Sequence, residues 1–388
     1  MTTSTPSWPR ERGHRRGLEL QFGATRAELV GRALTTGDPL ADAVVEAIQR
    51  HGSSLRIQLG QGLHHGLGTL EDPHPAVAEL LASTENLPDY ATDELLDHGS
   101  LAFFTMPPAA HIISLSAGAL IRVYQSPSIT NVLMTTGRLV EGADRRIRET
   151  GSWVNTAMLP GSLRPGAPGY VATIQVRMLH AQMRRLARTR SVDEESFGVP
   201  INQVDLARTW MDFTVTMLDA EATMGFGLTS SETADLYRYW WVIAHLLGID
   251  PELVEGIESN DQAHRVDAMF QAVTGPLIPD SSVLASATLS SISGLLHQIL
   301  KVPPTLGGLA LNDLARRFHP SAIAEELGLR RNVVAEKALD VAIARVRSSR
   351  ATLRRDPERW AREQQKQLAA TRKLVAKGSV ALYATGAE

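Results

Sequence analysis

"APGYVATIQVRMLHAQMRRLART", residues 167–189, predicts one mostly apolar helix that nevertheless carries Arg177, His180 and Arg184. Spacings of three and four residues place these side chains on one face, within about 60° of arc. An exposed face is normally polar throughout, whereas a core face normally excludes two arginines and an imidazole. The pattern therefore indicates that something anionic, or something that needs an axial nitrogen, lies against this face.

From the spacing alone, three interpretations of this face stay open. In the first, the helix is structural: the arginines reach water or pair with acidic side chains, and His180 is a hydrogen-bonded core residue. In the second, His180 is the axial ligand of a haem iron and the guanidiniums pair with the haem propionates. In the third, the face binds an anionic substrate.

A second polar face lies in "RRIRETG", residues 145–151, where Arg146, Glu149 and Thr150 follow the i, i+3, i+4 pattern of one helix face. This is either a salt-bridged helix end facing solvent or a polar patch facing a pocket. In a pocket, Thr150 donates a hydrogen bond, Glu149 serves as a base and Arg146 supplies a cation.

The other histidines carry weaker signals. His64 and His65 lie in "GQGLHHGLG", which we expect to be a solvated, Gly-rich loop. His111 and His245 lie in apolar helices, where a hydrogen-bonded core histidine is the default. HExxH, GxSxG, Walker A and GxGxxG motifs are absent from the sequence, which gives no support to a zinc protease, a serine hydrolase or a nucleotide-binding enzyme.

Helical patterns dominate the rest of the chain. Convincing strand alternation is absent, so we predict an all-α fold. We expect a flexible leader over residues 1–34, one helical domain over 35–345 and a charged C-terminal helix or tail over 346–388. The principal helices are predicted over residues 37–52, 109–125, 128–158 (broken near Gly137 or Gly142), 201–225, 229–248 and 280–301.

The composition excludes several classes of function. The absence of cysteine rules out disulfides, iron–sulfur clusters and thiolate chemistry. A net charge of -3 gives no sign of binding to nucleic acid, and the helix-turn-helix rhythm of residues 318–342 lacks a basic stripe. Arg15 and Arg16 are not followed by an apolar segment, and the sequence contains no long apolar run. We therefore expect a cytoplasmic protein without a membrane span.

One long stretch, "RETGSWVNTAMLPGSLRPGAPGYVATIQVRMLHAQMR" over residues 148–184, resembles the central signature of the latex clearing proteins. These are rubber oxygenases within the wider MpaB-like oxygenase superfamily. Supporting similarity lies in "GDPLADAVVEAI" (37–48), "GVPINQVDLARTWMDFT" (198–214) and "YWWVIAHLLGID" (239–250). The resemblance extends over roughly residues 35–345.

The resemblance implies an all-α, globin-like core around haem b and the cleavage of isoprenoid C=C bonds with dioxygen. The proximal motif of the family, Arg-x-x-His-Ala-x-x-x-Arg, matches Arg177, His180 and Arg184 in this sequence. His180 is then the implied iron ligand. The two arginines are implied to fix the helix and to offset charge near the haem edge.

On the distal side, the family carries an Arg-x-x-Lys-Thr arrangement, and Arg146 and Thr150 match it. Glu149 stands where relatives have a lysine that can occupy the sixth iron position in a closed state. The glutamate proposed as the base of the family is also missing from "SPSITNVL", around Thr130. Glu149 is therefore the candidate that replaces this base.

Together these features predict a haem-b-dependent oxygenase that uses dioxygen on a small apolar, alkene-containing substrate, by C=C cleavage or oxygen transfer. Arg146, Glu149 and Thr150 are the expected catalytic residues, and Arg177, His180 and Arg184 the expected cofactor-binding residues. Two other classes stay open: a haem-binding sensor or carrier without turnover, and a cofactor-free all-α interaction protein.

Overall fold

Helices make up all the regular secondary structure in residues 8–135, 143–190 and 192–377, which are the residues that the structure, a computed structural model, describes. The predicted all-α class is therefore confirmed.

Between Arg15 and Thr135, short and medium-length helices follow one another closely. The α-helices are α1 (Arg15–Phe22), α2 (Ala24–Leu34), α3 (Pro39–His51), α4 (Ser53–His65), α5 (Pro75–Glu85), α6 (Asp93–His98), α7 (Pro108–Ile113), α8 (Ile121–Val123) and α9 (Pro127–Thr135). Two 3₁₀ turns, Leu67–Thr69 and Leu101–Thr105, and the π-helical segment Ser114–Leu120 complete this part.

From Ala143 onwards several helices are much longer. They are α10 (Ala143–Ala157), α11 (Pro168–Thr189), α12 (Glu194–Phe197), α13 (Gln203–Met211), α14 (Met217–Thr223), α15 (Ser230–Leu246), α16 (Pro251–Val254), α17 (Asn260–Gln271), α18 (Pro279–Leu300), α19 (Pro304–Phe318), α20 (Ser321–Glu326), α21 (Val333–Arg354) and α22 (Pro357–Lys377). A second π-helical segment, Asp212–Thr216, joins α13 to α14. The break predicted near Gly137 or Gly142 lies outside the described residues.

Local capping chemistry explains where the principal helices begin. The Asp38 side chain accepts a hydrogen bond from the Ala41 N–H, and Pro39 occupies the first position of α3. At the start of α15, Thr229 and Glu232 form a reciprocal capping box. Both starts agree with the predicted helices 37–52 and 229–248.

The prediction of a flexible leader over residues 1–34 is wrong for its second half, where residues 15–34 form α1 and α2. Leu18 is 1% exposed, and the Arg12 guanidinium binds the buried Asp205 carboxylate at 2.8 Å. This buried ion pair anchors the segment, because a charge removed from water needs its partner. Residues 1–7 of the predicted leader lie outside the described residues.

At the C-terminus, the predicted boundary at residue 346 falls inside α21, so this helix continues without interruption from the predicted domain into the predicted tail. The charged helix that follows is α22, and it packs against the 3₁₀ turn Leu101–Thr105. Gln364 donates a hydrogen bond of 2.8 Å to the Leu101 carbonyl, and Leu368 is buried. Residues 378–388 lie outside the described part of the chain.

The helix α11 runs through the main apolar cluster of the core and packs against α3, α10 and α15, while two smaller clusters lie outside this main one. No single helix in the described ranges is both long and apolar enough to cross a membrane. The bent pair Asp93–Thr105 and Pro108–Val123, at 88°, reaches that length and composition only when its two parts are taken together.

Candidate functional site

A cavity of about 800 Å³ opens beside α11. Its walls come from α3, α9, α10, α11, α13 and α15, and most of its lining side chains are apolar. His180 lines it, and so do Arg146, Glu149 and Thr150. The cavity therefore brings one residue of the first polar face, His180, together with the whole of the second face.

His180 presents a neutral imidazole to this cavity. Burial lowers the pKa of His180 to about 4, and the neighbouring Arg184 cation acts in the same direction. Its Nδ1 atom is buried and has no hydrogen-bond partner in the part of the chain that the structure describes. A neutral imidazole keeps one ring nitrogen unprotonated, and such a nitrogen can bind a metal ion.

The resemblance implies that Arg177 lies near the haem edge. In the structure Arg177 does not line the cavity, and its side chain is directed towards α3. Its Nε and Nη2 donate hydrogen bonds of 2.6 and 2.9 Å to the two carboxylate oxygens of Asp38, and both side chains are 5% exposed. This bidentate pair fixes the start of α3 to α11, which is the structural interpretation of the arginine.

Arg184 is likewise a structural residue and does not line the cavity. It is fully buried, forms an ion pair with Asp42 and donates hydrogen bonds of 3.0 and 2.9 Å to the carbonyls of Pro200 and Ile201. Burial raises the pKa of Asp42, and the Arg184 cation opposes that rise. Both arginines of the motif therefore hold His180 in place from behind.

Two glycines that the sequence did not single out make room for these arginines. A Cβ atom on Gly37 would lie 2.7 Å from the Arg184 Nε, and one on Gly248 would lie 2.6 Å from the Arg177 Cζ. Gly248 also has a φ of +72°, a conformation that favours glycine. Both glycines lie in the stretches that resemble the family, 37–48 and 239–250. This was the signal in the sequence that could have identified them.

The neighbouring helix α10 supplies the second polar face of the cavity. Glu149 accepts a hydrogen bond of 2.6 Å from the Arg145 Nε, and its side chain is 14% exposed. Arg146 is half-buried and has no hydrogen-bond or ion-pair partner among the described residues. This guanidinium, a carboxylate and the hydroxyl of Thr150 thus border one apolar space.

The cavity lining includes four buried aromatic side chains, which we call the aromatic wall: Trp153, Trp210, Phe213 and Trp240. The ring centroid of Trp153 lies 5.8 Å from that of Phe213 and 6.4 Å from that of Trp240. Phe213 belongs to the second π-helical segment, and such segments are frequent at functional sites.

The cavity also has a cationic border, which we call the arginine rim: Arg56, Arg145, Arg146, Arg185 and Arg190. Four of these side chains are exposed, and Arg146 is half-buried. The rim therefore lies where the cavity meets solvent. The spacing argument did not identify Arg56, Arg185 or Arg190, because residues of separate helices and of a helix end share no sequence period.

The remaining candidates do not line the cavity. His64 and His65 end the helix α4, so the prediction of a loop there is wrong. Buried Gly62, whose Cβ would meet Leu81, allows this helix to pack closely. His111 and His245 are structural as expected: His111 contacts Glu221 and the Phe103 carbonyl, and His245 contacts the Ser83 carbonyl.

Thr130, which stands near the position of the missing base of the family, is fully buried. Its hydroxyl donates a hydrogen bond of 3.0 Å to the Tyr124 carbonyl. The other lining carboxylate, Asp205, is already bound by Arg12, Ser128 and Asn202. Within the described lining, Glu149 is therefore the carboxylate best placed for proton transfer.

The chain is similar to a known family of oxygenases. The family model described as "ER-bound oxygenase mpaB/B'/Rubber oxygenase, catalytic domain" matches residues 108–355, which include His180 and the polar face of α10. A rubber oxygenase from Streptomyces sp. (strain K30) is 22% identical over 177 residues, which cover 44% of this chain and 41% of the relative. The match thus spans less than half of that relative.

The same fold is found in a solved structure of latex clearing protein LCP in the closed state. It has a TM-score of 0.65 and 19% sequence identity, and the match covers 89% of this chain and 91% of the other. Since the family model covers more than half of the sequence, this chain belongs to the mpaB/B' and rubber oxygenase family and carries its catalytic domain.

Proposed function

We propose that this chain is a haem-b-dependent oxygenase that uses dioxygen on a small apolar alkene, with His180 as the axial iron ligand. One observation carries the proposal. The neutral imidazole of His180 lies on the wall of an apolar cavity that also contains Arg146, Glu149 and Thr150.

The residues present fit haem better than a bare metal ion. Among the described residues, no group of three or more His, Asp or Glu side chains could hold a metal ion. Haem needs only one or two ligands from the protein, because the porphyrin supplies the other four, and a histidine is a common axial ligand. His180 offers that ligand, and the arginine rim offers cations for the two propionates.

His180 would hold the haem, and haem would supply the iron chemistry that activates dioxygen. The residues of this chain then position, shield and move protons. The hydroxyl of Thr150 donates a hydrogen bond into the cavity, and the Arg146 guanidinium stabilises negative charge that develops there. Glu149 can accept a proton from the reacting substrate and return it.

The ligand nitrogen is held in place from behind its helix. The pairs Arg177–Asp38 and Arg184–Asp42 bind α11 to α3 on either side of His180. A rigid ligand helix keeps the imidazole directed at the cavity, as the residues behind a metal ligand commonly do.

The substrate class follows from the lining. The aromatic wall favours an apolar chain and excludes water. The cavity of about 800 Å³ has to hold both haem and substrate, which limits the size of the substrate. We therefore propose a small isoprenoid-like alkene. A small substrate also agrees with a cytoplasmic location, which stays a prediction.

The test uses the haem-loaded protein with a panel of neutral and acidic isoprenoid alkenes, and with their saturated analogues as matched controls. We expect oxygen consumption that depends on the alkene, and two carbonyl products of C=C cleavage that each carry one atom from isotopically labelled dioxygen. Haem-loaded protein that consumes no oxygen with any alkene would instead be a haem sensor or carrier, and the oxygenase proposal would be wrong.

A further inference from the structure

The charges around the cavity are unbalanced. Five guanidiniums of the arginine rim line it, whereas its lining carboxylates in the described ranges are Glu149 and Asp205. Asp205 is bound to Arg12, and Glu149 to Arg145. Within the part of the chain that the structure describes, the other four rim arginines therefore have no carboxylate partner.

Polarity also changes along the cavity. The rim is largely exposed, while the four side chains of the aromatic wall are between 2% and 8% exposed. The border of the space is therefore cationic and wet, and its aromatic wall is apolar and dry. Such a gradient orients a ligand that has one charged end and one apolar end.

Haem alone does not neutralise this surplus. A haem b molecule carries two propionates, so it can pair with two of the four rim arginines that lack a carboxylate partner. The remaining cations create a positive potential at the mouth, which attracts a further anion.

We propose that the apolar substrate carries an anionic head group, a carboxylate or a phosphate, which binds the arginine rim while its chain lies against the aromatic wall. This inference rests on the proposed function for the reaction, but binding can be measured independently of turnover. It assigns Arg56 and Arg185 as residues that determine specificity.

The experiment is isothermal titration calorimetry of farnesol, farnesoic acid and farnesyl phosphate, which share one chain and differ in the head group. The apoprotein and the haem-loaded protein are both titrated below micelle-forming concentrations. We expect at least one anion to bind about tenfold more tightly than farnesol to both forms. The anion that binds more tightly identifies the head group as a carboxylate or a phosphate.

Matched variants assign the effect to the rim. In the double variant Arg56→Gln/Arg185→Gln we expect the preference to fall to about threefold or less. Arg188→Gln is the control, because Arg188 is exposed on the same helix, pairs with Glu194 and does not line the cavity. This control should keep the full preference.

Three results would overturn the inference: equal affinity for farnesol and both anions, a preference that the double variant retains, or a preference that haem loading abolishes. The last result would mean that the rim serves the propionates alone. A haem titration of the same samples separates this failure from that of the proposed function. If the protein takes up no haem but still binds an anion more tightly than farnesol, the haem proposal is contradicted and this inference stands.

Discussion

Arg177 binds Asp38 through two buried hydrogen bonds of 2.6 and 2.9 Å, and this pair joins α11 to α3 three residues before His180. Arg184 forms the equivalent pair with Asp42 four residues after His180. The two ion pairs fix α11, which carries His180, as a wall of the cavity. Their partners lie about 140 residues away in sequence, so the pairs depend on the complete fold.

Removal of the Arg177 cation should destabilise the fold. In Arg177→Met we expect a loss of roughly 3–5 kcal/mol in the free energy of unfolding, because Asp38 is left buried without its partner. The double variant Arg177→Met/Asp38→Asn should recover part of this loss, since asparagine keeps the helix cap without the charge. Urea unfolding measures both. Unchanged stability with loss of haem would instead make Arg177 a cofactor ligand.

Gly248 should not tolerate a side chain. Gly248→Ala places a Cβ atom 2.6 Å from the Arg177 Cζ at a φ of +72°, and we expect it to cost about 1–3 kcal/mol of unfolding free energy. Gly60→Ala is the control, because Gly60 lies within α4 and a Cβ atom there would have nothing within 4 Å. It should be neutral or slightly stabilising. Equal effects of both variants would contradict the packing argument.

Glu149 should matter for turnover and not for haem binding. In Glu149→Gln we expect turnover to fall about 100-fold with an unchanged haem spectrum, as is typical when a general base is removed. The matched control is Glu46→Gln, which should keep full turnover. Glu46 also pairs with an arginine four residues away, but it lies outside the cavity lining. Steady-state oxygen uptake gives the comparison. Full activity in Glu149→Gln would refute the role of this carboxylate.

Haem affinity should depend little on pH in the mildly acidic range. Because burial lowers the pKa of His180 to about 4, its nitrogen is already unprotonated at pH 6 and stays available until the pH approaches that value. An exposed histidine would lose affinity below about pH 6.5. Haem titrations of the apoprotein between about pH 5 and 8 should therefore give one affinity. A decline centred near pH 6.5 would contradict the buried environment of His180.

The same pKa has the opposite consequence for folding. Between the unfolded value of about 6.5 and the folded value of about 4, the unfolded chain binds a proton at this histidine and the native protein does not. His180 therefore lowers the stability of the apoprotein progressively as the pH falls through this range.

Sequence periodicity predicted which residues share a helix face, and the resemblance to the family implied that His180 and the face of Arg146, Glu149 and Thr150 border one pocket. It could not predict that Arg177 and Arg184 point away from the cavity. Three side chains within about 60° of arc can still reach different neighbours, and their aspartate partners are determined by tertiary packing.

The two local errors have the same physical origin. The leader prediction considered a polar stretch by itself, whereas Arg12 finds a buried carboxylate, Asp205, 193 residues further along the chain. The loop around His64 was predicted because glycine has a low helix propensity. In the structure Gly62 lies within α4 and allows close packing against Leu81. In both cases long-range contacts override a local preference.

The optical spectrum of the purified, haem-supplemented protein, recorded beside His180→Ala, tests the central claim most directly. We expect an intense Soret band at about 400 nm in the wild-type protein and the loss of this band in His180→Ala. A wild-type protein that takes up no haem, or a variant that keeps an identical spectrum, would contradict His180 as the axial ligand.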